Sequence, residues 1–236
     1  MKIRLDKLLA NGGLGSRKEV NDLISEGRVK VDGMIITKGK TKVEEDAIIE
    51  IDTKVVDAKS YVYYILYKPP GYISASRDRR ETVIDLIDPD DRRKGLFPVG
   101  RLDFDTSGLV MITNDGRLAH RLLSPKKHVP KKYLAQLDLP CDSKDMDRFE
   151  QGIMLVPEGK LSLPAHLEIL DDNKAIVTIK EGKYHQVKRM FGACGKKVLK
   201  LKRLSMGPLE LGNLKIGEYR KLEDREIENL KAYLNS

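Results

Sequence analysis

The sequence predicts an α+β protein in two parts: a small helix-helix-hairpin domain over residues 1–59, then a larger domain over residues 60–236 in which strands and helices interleave. Three observations predict it. Two apolar patterns at helical spacing open the chain, an Asp32-Gly33 turn joins two short strand-like runs, and beyond Tyr61 β-branched and aromatic runs take turns with helical periodicity. A length of 236 residues suits one large or two modest domains.

Taking the elements in order, Leu5, Leu8 and Leu9 share one face of a first helix that begins near Arg4. After a glycine-containing turn, Ser16-Arg17-Lys18-Glu19 has the form of a capping box, in which each side chain satisfies the other residue's backbone N–H. A second helix starts there, with Val20, Leu23 and Ile24 on its apolar face, and Gly27 ends it in a left-handed turn. Val29 and Val31 alternate with charged residues into the Asp32-Gly33 turn, Met34-Ile35-Ile36 returns, and Ile48 to Ile51 supplies a third strand. Residues 52–60, with Asp52, Lys54, Asp57 and Lys59, read as a polar connection.

In the larger part, Tyr61 to Tyr67 is a strand stopped by Pro69-Pro70-Gly71. Strand patterns recur at Leu109–Thr113, Tyr133–Leu137 and Ala175–Ile179. Helices are expected over Gly116–Leu123, Lys144–Gln151, His185–Cys194 and Glu223–Leu234. No solenoid-like period is present.

Composition narrows the function classes. With 40% hydrophobic and 34% charged residues the chain fits a soluble globular protein, and charges interrupt every apolar run well short of the ~20 residues that span a bilayer. The start, Met1-Lys2-Ile3-Arg4-Leu5-Asp6, lacks the apolar core of a signal peptide, so a cytoplasmic protein without a membrane partner is expected. Cys141 and Cys194 are the two cysteines, and without a Cys-x-x-Cys pair or clustered histidines they read as buried free thiols rather than a zinc site.

The formal charge of +8 favours a polyanion as partner. Nine basic residues face one acidic residue, Glu181, across 180–203, and six face none across 117–133. Such runs are ordinarily solvated surface, but flanking a site they read as phosphate contacts, which position RNA and weaken with salt. Residues 1–58 balance 11 basic against 11 acidic side chains, so a nucleic-acid face there must come from uneven placement of Arg4, Lys7, Arg17, Lys18, Arg28 and Lys30.

The stretch most informative for chemistry is Gly100-Arg101-Leu102-Asp103-Phe104-Asp105-Thr106-Ser107-Gly108-Leu109. Its two carboxylates admit three readings. A metal-assisted phosphoryl site would need a hydrophobic strand directly before the first Asp, where Gly100-Arg101 stands. Turn and helix capping is the ordinary role of Asp and Thr in such a loop, and it is the reading given to Asp105 and Thr106. The third is a carboxylate nucleophile that attacks an electrophilic carbon without metal.

Two resemblances bear on the choice. Arg4-Leu5-Asp6-Lys7-Leu8, Ser16-Arg17 and Leu23-Ile24-Ser25-Glu26-Gly27-Arg28-Val29-Lys30-Val31-Asp32-Gly33 together resemble the S4 RNA-binding domain. Gly-Arg-Leu-Asp-x-Asp-Thr-x-Gly-Leu resembles the RsuA branch of pseudouridine synthases. So do Tyr64-Ile65-Leu66-Tyr67-Lys68-Pro69-Pro70-Gly71 upstream, Lys132-Tyr133-Leu134 downstream, and Glu181-Gly182-Lys183-Tyr184-His185-Gln186-Val187-Lys188-Arg189-Met190. The resemblance implies a catalytic domain with a mixed, mainly antiparallel sheet flanked by helices, and a reaction that detaches uracil, rotates it and rejoins it through carbon with no cofactor.

At matching positions it makes Asp103 the nucleophile, Tyr133 the residue packed on the target base and Lys188 the cation beside the aspartate. Arg101 would hold the base out of its helix, with Tyr184, His185, Gln186 and Arg189 as further substrate contacts. The physics agrees, since a carboxylate facing a polyanion stays ionised more readily beside a cation. A uridine stacked in a helix would have to be flipped out, at roughly a few kcal/mol. Left to the residues alone, Tyr133 would read as an ordinary strand core residue, and His185 and His120 as surface or RNA-contacting groups.

Lys183-Tyr184-His185-Gln186-Val187-Lys188-Arg189-Met190 matches the small-subunit branch of the family more closely than the large-subunit branch. The implied partner is 16S rRNA or the assembling small ribosomal subunit, with a monomer the expected state. Two departures stand out: Tyr67 where many relatives carry Asn, and Glu45-Asp46 where Gly-Asp is usual. The competing readings are a large-subunit 23S rRNA enzyme, a noncatalytic RNA-binding assembly factor, and a magnesium-dependent phosphohydrolase built on Asp103 and Asp105.

Overall fold

The structure is a computed structural model that describes residues 2–44, 47–56, 61–157, 159–171 and 173–235. Glu45-Asp46, the end of the expected connection with Asp57 and Lys59, and the expected boundary between 59 and 60 lie outside the described residues. The chain divides into two compact units, one made of residues 1–62 with 89–96 and 113–115, the other of the remainder.

The first unit runs β1 (Lys2–Arg4), α1 (Leu5–Asn11), α2 (Arg17–Ser25), β2 (Val29–Val31), β3 (Met34–Ile35), β4 (Lys42–Glu44), β5 (Ile49–Ile51) and β6 (Lys54–Val56). The capping box forms as the sequence predicts: Ser16 Oγ accepts from the Glu19 N–H, and Glu19 accepts from the Ser16 N–H. Asp32 and Gly33 both take positive φ, 49° and 80°, which is the twist that a two-residue hairpin needs. Leu5, Leu8, Leu9, Val20, Ile24, Val29, Val31, Val43 and Ile49 form one core beneath the two helices.

Residues 52–60 are not wholly a connection. Asp52 and Thr53 turn at positive φ, and β6 folds back antiparallel on β5. Charges at Asp52 and Lys54 concealed this strand because it lies at the sheet edge, where Lys54 and Val55 both meet water. The sequence also left out β1, which pairs with β4.

The second unit begins with β7 (Tyr63–Lys68), β8 (Phe97–Val99), β9 (Ser107–Thr113), α3 (Gly116–Leu123), β10 (Lys131–Leu137) and α4 (Ser143–Gln151). It continues with β11 (Met154–Leu155), β12 (Lys160–Leu161), β13 (His166–Asp171), β14 (Lys174–Ile179) and α5 (Gln186–Ala193). The last elements are β15 (Val198–Met206), β16 (Leu209–Glu210), β17 (Tyr219–Lys221) and α6 (Asp224–Asn235).

Its sheet has the order β13-β14-β10-β15-β9-β7-β17, with β16 beside β15 and β8 beside β9. β10 runs antiparallel to both neighbours, and β15 meets β9 in parallel, so the sheet is mixed and mainly antiparallel as expected. Leu109, Val110, Met111 and Ile112 of β9 are all fully buried, which explains their unbroken apolar run: this strand is covered on both faces. In β10 and β14 the pattern alternates instead, with Tyr133, Ala135, Leu137, Ala175 and Val177 buried. Phe149 of α4 and Phe191 of α5 meet at 5.0 Å in the second unit's core.

Gly108 makes the parallel join possible. Its φ is +117°, and a Cβ there would stand 2.3 Å from the Arg203 carbonyl oxygen and 2.4 Å from the Arg203 nitrogen. The two free cysteines are half-buried rather than buried, and loss of solvation still pushes the Cys141 thiol up to about 11.

Candidate active site

The loop between β8 and β9 carries Arg101, Asp103 and Asp105 and has no regular structure of its own, so its shape is imposed from outside. Lys68, fully buried at the end of β7, reaches it with one ammonium: Nζ donates to the carbonyls of Thr106 at 2.8 Å, Pro69 at 3.0 Å and Asp103 at 3.1 Å, with Phe104 at 3.4 Å. Ser74 grips the same loop one step earlier. Its hydroxyl accepts from the Leu102 N–H and donates to the Leu102 carbonyl, both at 3.0 Å. The Gly71 N–H donates to the Phe104 carbonyl at 2.8 Å. The Lys-Pro-Pro-Gly turn thus holds the aspartate loop by its backbone.

The Asp103 side chain meets α5. Lys188 Nζ lies 3.3 Å from Asp103 Oδ2 and 2.6 Å from Asp105 Oδ1, and His185 Nε2 lies 3.5 Å from Asp103 Oδ1. Burial lowers the Lys188 pKa, but the hydrogen bond to Asp105 and the charges of both aspartates outweigh it and leave the pKa raised. The hydrogen bond from Lys188 holds the Asp105 carboxyl below its ordinary value. Asp105 thus shares the lysine with Asp103.

A cavity of about 420 Å³ opens beside Asp103. Arg101, Asp103, Thr106, Lys131, Tyr133 and Arg203 line it, joined by His185 and Gln186 at the start of α5. Tyr133, largely buried, enters from β10, where it pairs with Val177 on one side and Arg203 on the other. Burial pulls both Lys68 and Lys131 down to about 8; the nearby Arg203 charge adds to the fall at both, and the two aspartates oppose it at Lys68.

The structure thus brings Arg101, Asp103, Tyr133, His185 and Gln186 to one cavity and sets Lys188 against Asp103. Three expected substrate contacts are placed differently. The buried Gln186 amide braces its own loop, donating to Glu181 at 2.7 Å and accepting from the Lys183 N–H at 2.9 Å. Tyr184 is exposed and stacks on His185 with ring centroids 3.8 Å apart. Arg189 donates to the Tyr184 carbonyl at 3.0 Å and is not in the cavity wall.

Sequence reasoning assigned nothing to Lys68 or Ser74, read Lys131 and Arg203 as members of basic runs that contact phosphates where the structure lines the cavity with them, and gave Thr106 a capping role that its side chain does not fill. Lys68 stood inside a quoted motif, and its signal was a lysine ending an otherwise apolar strand. Arg203 was hidden in a run of basic residues, although its inward register in β15 separates it from Lys200 and Lys202.

In the first unit, Arg4 is paired with Asp6, and Arg28 with Asp52 and Glu26. Lys7, Arg17, Lys18 and Lys30 have no ion-pair partner among the described residues, and Arg17 and Lys18 occupy the first turn of α2. No described helix is long and apolar enough to cross a membrane, and no cluster of metal-ligating side chains occurs among the described residues.

Residues 62–193 match the family model described as RNA pseudouridylate synthase, and residues 3–49 match the S4 domain. The chain is 45% identical over 235 residues to the uncharacterized RNA pseudouridine synthase YtzG of Bacillus subtilis, covering 97% of this chain and 98% of that one. It is 41% identical to the ribosomal small subunit pseudouridine synthase A of Pseudomonas aeruginosa, covering 88% and 90%. It is 40% identical to the ribosomal large subunit pseudouridine synthase B of Bacillus subtilis, covering 97% and 96%. A crystal structure of a pseudouridylate synthase, 38% identical, superposes with a TM-score of 0.69 over 97% of this chain and 99% of that one.

The fold is that of a pseudouridylate synthase, an RNA-modifying enzyme. The chain belongs to the RNA pseudouridylate synthase family, in the RsuA branch that carries an S4 domain.

Proposed function

We propose that the protein converts one uridine of small-subunit 16S rRNA to pseudouridine, with Asp103 as nucleophile, the uridine flipped into the cavity and Tyr133 packed on the base. The observation that carries the reading is Asp103 at the cavity wall with Lys188 at 3.3 Å and His185 at 3.5 Å. Lys188 favours the ionised carboxylate, and Arg101 helps keep the base out of its helix. Gln186 and Arg189 act by fixing the loop that presents His185 and Tyr184. No cofactor is required, because the reaction rearranges bonds already in the substrate.

An S4-like domain over residues 1–59 supplies RNA contacts through Lys7, Arg17, Lys18 and Lys30; Arg4 and Arg28 contribute only where RNA displaces their carboxylates. The protein acts as a cytoplasmic monomer on rRNA or the assembling subunit. A large-subunit target is the second reading, favoured by the 40% identity to a large-subunit synthase over nearly the whole chain.

Site-resolved pseudouridine mapping on unmodified 16S and 23S rRNA, with wild type and Asp103→Asn, tests both. A signal at one 16S uridine from wild type alone supports the proposal. A signal confined to 23S rRNA moves the target to the large subunit, and turnover by Asp103→Asn removes the nucleophile assignment.

A further inference from the structure

Among the described residues, two that line the cavity each carry a buried side-chain atom with no hydrogen-bond partner: Nη2 of Arg203 and Oγ1 of Thr106. Both residues are at most 2% exposed. The Arg203 Nε donates to the Leu109 carbonyl at 2.7 Å, which fixes the guanidinium while Nη2 stays unused. Unpaired buried polar groups are rare because each forfeits its hydration. Two on one cavity imply a ligand that completes them.

Resting on the proposed uridine reading, we infer that Arg203 Nη2 and the Thr106 hydroxyl together receive the polar edge of the flipped uracil. Arg203, a donor only, takes a carbonyl oxygen. Thr106 Oγ1 accepts from the adjacent N3–H. The pair also meets a demand peculiar to this reaction. Joining the ring through C5 instead of N1 requires a half-turn about the line through C6 and N3. That turn exchanges N1 with C5 and O2 with O4 and leaves N3–H where it was. A site that reads one carbonyl beside N3–H therefore meets the same pattern before and after the turn, and the base stays held throughout.

The same contacts serve the chemistry. The Asp103 carboxylate bonds to C1′ as the N1–C1′ bond breaks, and that bond's electron pair passes to the ring, where the charge spreads onto O2 and O4 and meets the guanidinium. C5 then bonds to C1′ and displaces the carboxylate, the C5 hydrogen leaves as a proton and N1 gains one, so atoms and charge balance without a co-reactant. Cytosine offers a carbonyl on one side and an amino group on the other, and after a half-turn it would set that amino group against Arg203.

The test uses full-length Arg203→Lys and Thr106→Val, with single-turnover isomerisation, RNA affinity and thermal melting. Arg203→Lys is expected to lose about 100-fold in rate, as when a positioned donor is removed. RNA affinity should stay within about threefold with an unchanged salt slope, because a cavity guanidinium touches no phosphate. Thr106→Val should lose about tenfold in rate while melting no lower than wild type, since it deletes a hydroxyl that bonds nothing in the free protein. A purely structural threonine gives the opposite result, lower melting with normal turnover, and that outcome overturns the inference. So does wild-type turnover by Arg203→Lys.

Wild type inactive on both rRNAs overturns the substrate reading instead. In that case uridine monophosphate binding, followed by chemical shifts, decides this inference: binding by wild type and not by the variants upholds it, and equal binding or none overturns it.

Discussion

Ser74→Ala removes a single oxygen, and its consequences can be worked from the structure. The Ser74 hydroxyl is bonded at 3.0 Å to both the N–H and the C=O of Leu102, one residue before Asp103, and both bonds are buried. Alanine leaves a buried donor and a buried acceptor without that partner, at about 1–3 kcal/mol each with partial relaxation, so the loss of stability should be about 2–4 kcal/mol. For a chain of this size that is a fall of about 5–15 °C in melting temperature. Activity should fall further than stability explains, because a misplacement of about 1 Å at a reacting group can cost about 100-fold. The assay is single-turnover isomerisation at a temperature where both proteins are fully folded, beside urea unfolding. A variant that loses the expected stability yet keeps its rate within about twofold would refute the claim that this hydroxyl positions Asp103.

Three further outcomes follow from the same geometry. Lys68→Met should cost more activity than stability, because the methionine relieves a buried cation while freeing the carbonyls of Asp103 and Thr106; equal losses in rate and melting temperature would contradict that split. Gly108→Ala should unfold the second unit or cost about 2–6 kcal/mol, since its Cβ would have to displace the Arg203 backbone by about 1 Å at a φ that alanine disfavours, and a soluble variant with a native melting curve would refute the close approach. Lys68 and Lys131 sit near 8 in the folded protein against an ordinary 10.5, so from about pH 8 the unfolded chain binds more protons and stability rises with pH. Above about pH 9 the raised Cys141 and Cys194 thiols work the other way and offset the rise, so it is steepest at about pH 8–9. Denaturant melts across that window should show it reduced in Lys131→Met, and an unaltered slope would remove Lys131 as a source.

The sequence was legible where a local pattern decides the outcome. The Ser16 capping box, the Asp32-Gly33 hairpin and helix α3 all stand where residue type and spacing put them, because each is closed by bonds spanning a few residues. Asp103, Tyr133 and Lys188 came from resemblance, and the structure sets Asp103 and Tyr133 on one cavity with Lys188 against the aspartate. What stayed hidden depends on distant partners. Ser74 is one serine among several until Leu102 is found beside it, and Arg203 is one of nine cations in its run until the register of β15 turns it inward. β6 was missed for a related reason, since an edge strand can carry charges that a central strand cannot.

The aspartate loop owes its shape to segments far along the chain: Lys68 lies 38 residues before Thr106, Lys188 lies 83 residues after Asp105, and β9 has its parallel partner in β15. The S4 unit instead gathers most of its core from the first 50 residues. Contacts close in sequence form quickly, and distant ones wait on loop closure. On a ribosome delivering the chain from its N-terminus, the S4 unit has its core sequence in hand while most of the catalytic unit is still unsynthesised. Asp103 is translated early but gains its full cavity wall only after residue 203 has emerged, so a chain that stops short of Arg203 carries the aspartate without a complete site.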